Sequence, residues 1–317
     1  MKQFIFIVHP LTDQQRKAMA LRCQRWSALT SGDYDYSDVG ILCRFRLGRD
    51  IEGTVVSVPL LPEELLADQQ RSLGLIQHAI CVANASGQSI DVVGLGSLCS
   101  IIGGRGSALQ SRLSIPVTTG NAATAWCMYK HTVDLYREGT VAILGSGSPV
   151  GRILTGMLHQ KGIPIQVDTK RAAKKRNIPY DDISQIAPNA SLILGCGPTG
   201  PVLDPSILKP NTVIVDVALP QTLTTKSSHT VYMGEAMSMP RQWKRGFWGP
   251  LYHMVSGYGW NTVLACLVEP LALVASGRKI PYAQGATLRE EDVLAFGDMA
   301  EQLGFHPKRI LHSQWIR

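Results

Sequence analysis

The sequence predicts an α/β protein: an N-terminal α/β domain, then a Rossmann-like parallel-sheet nucleotide-binding domain, then C-terminal helices. Apolar strand-like runs alternate with helix-like segments in the first part of the chain. Near position 140 a strand, a glycine turn, a helix and a second strand follow within about 30 residues, the spacing of one βαβ unit. The segment after residue 255 is apolar and helix-like. These features set expected divisions of 1–133 for an α/β substrate domain, 134–255 for the nucleotide domain and 256–317 for a helical segment.

In the first domain, FIFIV (4–8), VGILCRF (39–45) and GTVVSVPL (53–60) read as strands. PEELLADQQRSLGLIQHAICVANA (62–85) reads as one helix, with Pro62, Glu63 and Glu64 suited to its first turn. DVVGLGSLCSIIGG (91–104) is a further strand entering a glycine-rich turn. Next, VTTGNAATAWCMYKHTVDLY (117–136) reads as a turn running into a helix. Thr118, Thr119 and Asn121 offer capping oxygens, and Gly120 permits an unusual backbone angle. Such a helix start presents N–H groups to an anion or a carbonyl, or is simply a capped helix.

The nucleotide unit is expected to place a strand at Val141–Leu144, a turn at Gly145, Ser146, Gly147, Ser148, Pro149, Val150 and Gly151, a helix over about 150–161 and a strand at Ile163–Val167. Glycines in that turn let the backbone approach a pyrophosphate seated on the helix N-terminus. Past the second strand, Asp168 favours the 2′-OH of NAD. Thr169, Lys170, Arg171, Lys174, Lys175 and Arg176 favour the 2′-phosphate of NADP, and NADPH is the expected cofactor. ASLILGCG (190–197) and TVIVDVALP (212–220) continue the parallel sheet and bring Gly197 and Ala218 to its carboxyl edge.

With 317 residues, 45% hydrophobic and 17% charged, the chain supports two cores and excludes a disordered protein. The apolar run Phe4–Val8 is too short for a signal peptide, and no stretch approaches ~18 apolar residues, so a cytoplasmic protein is expected. Seven cysteines lie scattered without zinc-like spacing, which predicts free thiols and no metal. The 31 Lys and Arg against 24 Asp and Glu give +7, which favours acidic partners without choosing among nucleic acid, an anionic membrane and an acidic carrier protein.

Among the cysteines, Cys266 in GWNTVLACLVEP (259–270) is either a small core residue or a nucleophile. Pro270 lies four residues on, so a helix is expected to kink there and leave Cys266 beside a break. Glu269 falls on the same face as Cys266, as a proton donor or a structural anchor. Cys196, between Gly195 and Gly197, is a rival thiol.

IEG (51–53), LPEELL (61–66), TTGNAATAW (118–126), GSGSPVG (145–151), VIVDVALP (213–220), ACLVEPLAL (265–273) and LGFHP (303–307) together resemble, in order, the cyanobacterial-type long-chain acyl-(acyl-carrier-protein) reductases. The resemblance implies that an acyl chain passes from carrier protein, or from CoA, to Cys266 as a thioester and is reduced with NADPH to a fatty aldehyde. It implies Cys266 as the catalytic nucleophile; Glu269, from its place on the same helix face, is the accompanying catalytic candidate, and Thr118, Thr119, Gly120 and Asn121, at their helix start, are the candidate substrate-binding residues. No nucleic-acid partner is implied, and peripheral membrane contact is not indicated. The chain departs from the family in the spacing of its glycine turn, in Thr169 where an arginine is usual, and in Pro270. A shikimate- or glutamyl-tRNA-reductase-like oxidoreductase, or a nucleotide-binding protein without chemistry, also fits the order of domains.

Overall fold

The computed structural model describes residues 1–29, 38–47, 50–85, 89–174, 176–197, 201–218, 220–240 and 261–312. It divides the chain into two compact units, 1–120 with 239–286 and 298–305, and 121–238 with 287–297 and 306–317. The mixed α/β class expected from the sequence is observed in both units.

The first unit is built on strands β1 (Lys2–Val8), β2 (Gly40–Leu47), β3 (Ile51–Ser57), β4 (Val92–Leu95) and β5 (Val117–Thr118). Their order is β2-β3-β1-β4-β5, parallel throughout except for the antiparallel β2 edge. β1 is buried on both faces, which explains its unbroken apolar run. Ile5 and Ile7 pack with Ile76, Ala79 and Ile80 of the helix Gln69–Ala85. The helix Ala265–Ser276 lies against β1 and β4. The expected helix over 62–85 is two, Pro62–Ala67 and Gln69–Ala85, because Asp68 leaves helical geometry and its Oδ1 accepts the Arg71 N–H to start the second. Glu64 Oε2 accepts the Leu61 N–H, so the acidic first turn acts as anticipated.

The division between units falls at 120/121 and not 133/134, so the helix Asn121–Leu135 belongs to the second unit. The segment expected to stand apart as C-terminal helices does not, since the helix Ala265–Ser276 completes the first unit's core.

The second unit has five parallel strands, β6 (Thr140–Leu144), β7 (Ile165–Val167), β8 (Ala190–Gly195), β9 (Val213–Asp216) and β10 (Thr230–Met233), in the order β10-β9-β8-β6-β7. Ala142, Leu144, Ile193 and Ile214 pack with Ile186 and Leu203, while Val141 and Ile143 are equally buried on the opposite face. From β6 the chain goes first to β7 on one side and then to β8 on the other. The strand order therefore reverses between β6 and β8, and a ligand crevice is expected outside the carboxyl ends of those strands.

Candidate functional site

At that reversal the glycine turn follows β6. Gly145 adopts φ +76°, and a Cβ there would lie 2.3 Å from the Gly197 nitrogen. Gly151 is fixed by helix packing, because its Cβ would lie 2.4 Å from the Gly145 carbonyl oxygen. Gly147 differs: its nearest neighbour is Thr169 Cγ2 at 3.6 Å, which leaves open space where a ligand can approach the backbone. The three glycines thus divide into a tight turn, a close approach and helix packing, the division a dinucleotide turn requires. Ser148 caps the helix Pro149–Gln160 by accepting the Gly151 N–H, with Pro149 at its first position and Val150 buried behind it.

Asp168 is not presented as a ribose reader. Its carboxylate accepts the Gly145 N–H at 2.6 Å, the Ser146 N–H at 2.9 Å and the Ser146 hydroxyl at 2.5 Å, and Ser146 Oγ also meets Thr169 Oγ1 at 2.8 Å. The acid that pulled the sequence toward NAD is consumed in holding the turn. Lys170 and Arg171 open a short helix beside it, and Arg176 lies over Gly156 with a guanidinium nitrogen 2.7 Å from that glycine's would-be Cβ. Lys175 lies outside the described residues.

Gly145, Asp168, Gly197 and Ala218 line a small cleft of about 40 Å³, with Leu144, Ile183 and Val202 on its apolar side. Ala218 gives its N–H to Asp216, whose carboxylate also accepts the Thr222 N–H and hydroxyl. Cys196 is a poor rival nucleophile: burial, then the Asp216 and Asp168 charges, push its thiol pKa well up.

The first unit gathers the other predicted residues. Thr118, Thr119, Gly120, Cys266 and Glu269 meet around the end of β5. Cys266 is the second residue of its helix, in the first turn, and not beside a mid-helix break. The helix runs on through Pro270 to Ser276 and does not restart there. Nor is the thiol widely accessible, at 7% exposed. At Gly120, φ is +74° and a Cβ would lie 2.5 Å from Cys266 Cβ.

Thr118 and Thr119 do not cap the following helix as expected. The Thr118 hydroxyl donates toward Glu269 Oε1 and lies 3.1 Å from the Ala283 carbonyl, which also accepts the Thr119 N–H at 3.0 Å and the Thr119 hydroxyl at 3.4 Å. Both threonines and Gly120 are buried, and only Asn121 is partly exposed. Glu269 is fully buried. The sequence reading missed Ala283, since a backbone carbonyl 164 residues away leaves no residue-type signal.

Parallel sheets, a strand-order reversal and a glycine turn with one open position define a Rossmann-like α/β protein. No protein-family model matches the chain. Among curated proteins it is similar to the aminotransferase PigE of a Serratia species, 25% identical over 285 residues, covering 81% of this chain and 32% of that protein. It is also similar to the bifunctional protein FolD of Tropheryma whipplei, 28% identical over 187 residues, covering 59% of this chain and 54% of that protein. The chain thus spans about a third of the first relative and about half of the second. Solved structures similar to it include L-tryptophan dehydrogenase from Nostoc punctiforme, with 12% identity, 95% of this chain and 88% of that one covered, and a TM-score of 0.40. Quinate dehydrogenase from Corynebacterium glutamicum in complex with NAD follows at 12% identity, 69% and 80% coverage and a TM-score of 0.34.

Proposed function

We propose that the protein is an NADPH-dependent oxidoreductase that reduces an acyl thioester, carried by acyl carrier protein or CoA, to an aldehyde through a thioester on Cys266. The observation that carries the reading is the placement of Cys266 in the first turn of a 12-residue helix, one turn before a fully buried carboxyl. A helix N-terminus favours the anionic form of sulfur, the form that attacks a carbonyl carbon. In the acyl-transfer step the Cys266 sulfur bonds the acyl carbon and the donor's sulfur leaves as a thiol. When the aldehyde is released, the Cys266 sulfur is in turn the leaving group, and Glu269, held by Thr118, is the group assigned to supply a proton.

NADPH supplies the hydride. Gly147 and the start of the helix Pro149–Gln160 would hold its phosphates, with Gly197 and Ala218 along the cleft; Thr169, Lys170 and Arg171 would hold its 2′-phosphate. That preference is supported by Asp168 being occupied within the turn. The carrier is assigned to a basic surface that includes Arg171 and Lys174; the other candidates for that surface, Lys175, Arg241, Lys244 and Arg245, lie outside the described residues.

Incubation with an acyl thioester in the absence of NADPH tests the reading. An acyl adduct on Cys266 and thioester-dependent aldehyde formation on adding NADPH are expected. Cys266→Ser should bind NADPH normally and lose turnover by orders of magnitude. An adduct on Cys196, aldehyde formation retained in Cys266→Ser, or oxidation of a hydroxy acid without any thioester would each overturn it.

A further inference from the structure

At the carboxyl ends of the adjacent strands β1 and β4, two side chains stand in an arrangement that neither the cofactor cleft nor Cys266 uses. His9 follows β1, and Ser97 follows β4 across Gly96. Ser97 has φ +50°, a left-handed conformation that a non-glycine residue holds at a cost of about 1–3 kcal/mol, and such residues gather at active sites. It is half-buried, at the turn from strand into a 3₁₀ helix. Gly96 N–H bonds the Ile7 carbonyl at 2.8 Å and Ser100 Oγ bonds the Ser97 carbonyl at 2.6 Å, so the strained turn is clamped on both sides.

Ser97 Oγ lies 3.1 Å from His9 Nε2. The Leu98 N–H, which can only donate, also reaches His9 Nε2, at 3.2 Å. Nε2 is therefore the bare nitrogen and Nδ1 carries the proton, which it donates to the Pro10 carbonyl at 2.9 Å. The result is a hydroxyl beside an unprotonated imidazole nitrogen, with the opposite nitrogen oriented by an acceptor, the three parts of a serine–histidine pair; burial lowers the pKa of His9 and keeps the ring neutral. A strained serine between a strand and a helix is likewise how α/β hydrolases expose theirs.

We propose that Ser97 and His9 form an acyl-transfer pair that hydrolyses small activated esters. Ser97 Oγ bonds the acyl carbon as its proton passes to His9 Nε2, and the alcohol departs with that proton. Water then attacks the acyl-serine; His9 takes the water's proton and returns it to Ser97, releasing the carboxylic acid. The arrangement also supplies an oxyanion donor at the right moment. Once Nε2 is protonated it no longer accepts the Leu98 N–H, and that amide, from the residue after the nucleophile, is freed for the negative charge on the substrate. This inference is independent of the thioester reading, since it uses neither Cys266 nor a nucleotide.

The full chain treated with a fluorophosphonate probe, digested and mapped by mass spectrometry tests the pair. Ser97 should carry the label, and p-nitrophenyl acetate should be hydrolysed. Ser97→Gly is the decisive variant, because glycine accepts the φ of this position without strain. It should fold at least as well, lose the label and hydrolyse the ester at least tenfold more slowly; His9→Gln should lower labelling at least tenfold. Absence of label on Ser97 in the unsubstituted protein, or ester hydrolysis unchanged in Ser97→Gly, overturns the proposal.

Discussion

One methyl group at position 120 tests how tightly the first unit closes around its thiol. The Cβ of Gly120→Ala would fall 2.5 Å from Cys266 Cβ and 2.7 Å from its Cα, in a left-handed backbone region besides. The substitution is expected to cost about 1–3 kcal/mol and to alter the rate at which a thiol reagent modifies Cys266. Chemical denaturation and alkylation kinetics read both effects, and an unchanged midpoint would show that the two residues are not in contact. His131 gives a second prediction at this scale. Burial first, and then the Arg309 charge, lower its pKa from 6.5 to about 4, and its Nε2 has no hydrogen-bond partner among the described residues. A histidine depressed in the folded state leaves stability intact above 6.5. As pH falls from 6.5 toward 4 the unfolded chain takes up a proton that the folded chain refuses, so stability is lost, by about 3 kcal/mol in all. His131→Gln should flatten that part of the profile, measured as denaturant midpoints at pH 7 and pH 4.5. An equal fall in both proteins would place the acid sensitivity elsewhere.

Among the helices, Gln69–Ala85 and Ala265–Ser276 show how one residue type has opposite consequences. Gly74 is exposed within the first, with nothing within 4 Å of a would-be Cβ. Gly74→Ala should therefore raise stability by about 0.5–1 kcal/mol through backbone entropy alone. Gly94 in β4 faces the second: its Cβ would lie 2.6 Å from Pro270 Cγ and 2.9 Å from Phe6 Cδ2. Gly94→Ala must push that helix off the sheet and should destabilise by about 1–3 kcal/mol. Thermal midpoints that move the same way for both substitutions would contradict the close approach. Pro270 was legible as a disturbance of backbone bonding, but its consequence depends on where the helix begins, and no residue marks that start. Leu264 is the N-cap and makes no side-chain cap. Five helical residues precede Pro270, and the helix continues past it to Ser276.

For the whole molecule, what the sequence reveals follows from the range of the interactions. The βαβ unit at 140–167 is local, so its periodicity, its glycines and its cap at Ser148 were readable with ends correct to within two residues. The membership of 265–276 in the first unit was not, because Thr118–Glu269 and Gly94–Pro270 join positions more than 150 residues apart. Likewise the basic cluster after β7 suggested NADP, but only the fold shows that Asp168 has turned onto Gly145 and Ser146. Two units with separate sheets and cores predict that a ligand bound to one protects that one. NADPH at about 100 times its Kd should stabilise the second unit by about 2.7 kcal/mol, read as slowed hydrogen exchange in peptides from 140–218. Gly145→Ala places a carbon 2.3 Å from the Gly197 nitrogen at φ +76°, so it should abolish that protection. NADH at the same concentration should protect less, since only NADPH carries the phosphate that Lys170 and Arg171 can pair. If NADPH leaves these peptides unprotected while slowing exchange in 1–118, the nucleotide has been assigned to the wrong unit; if both cofactors protect 140–218 equally, the basic residues after β7 do not read the ribose.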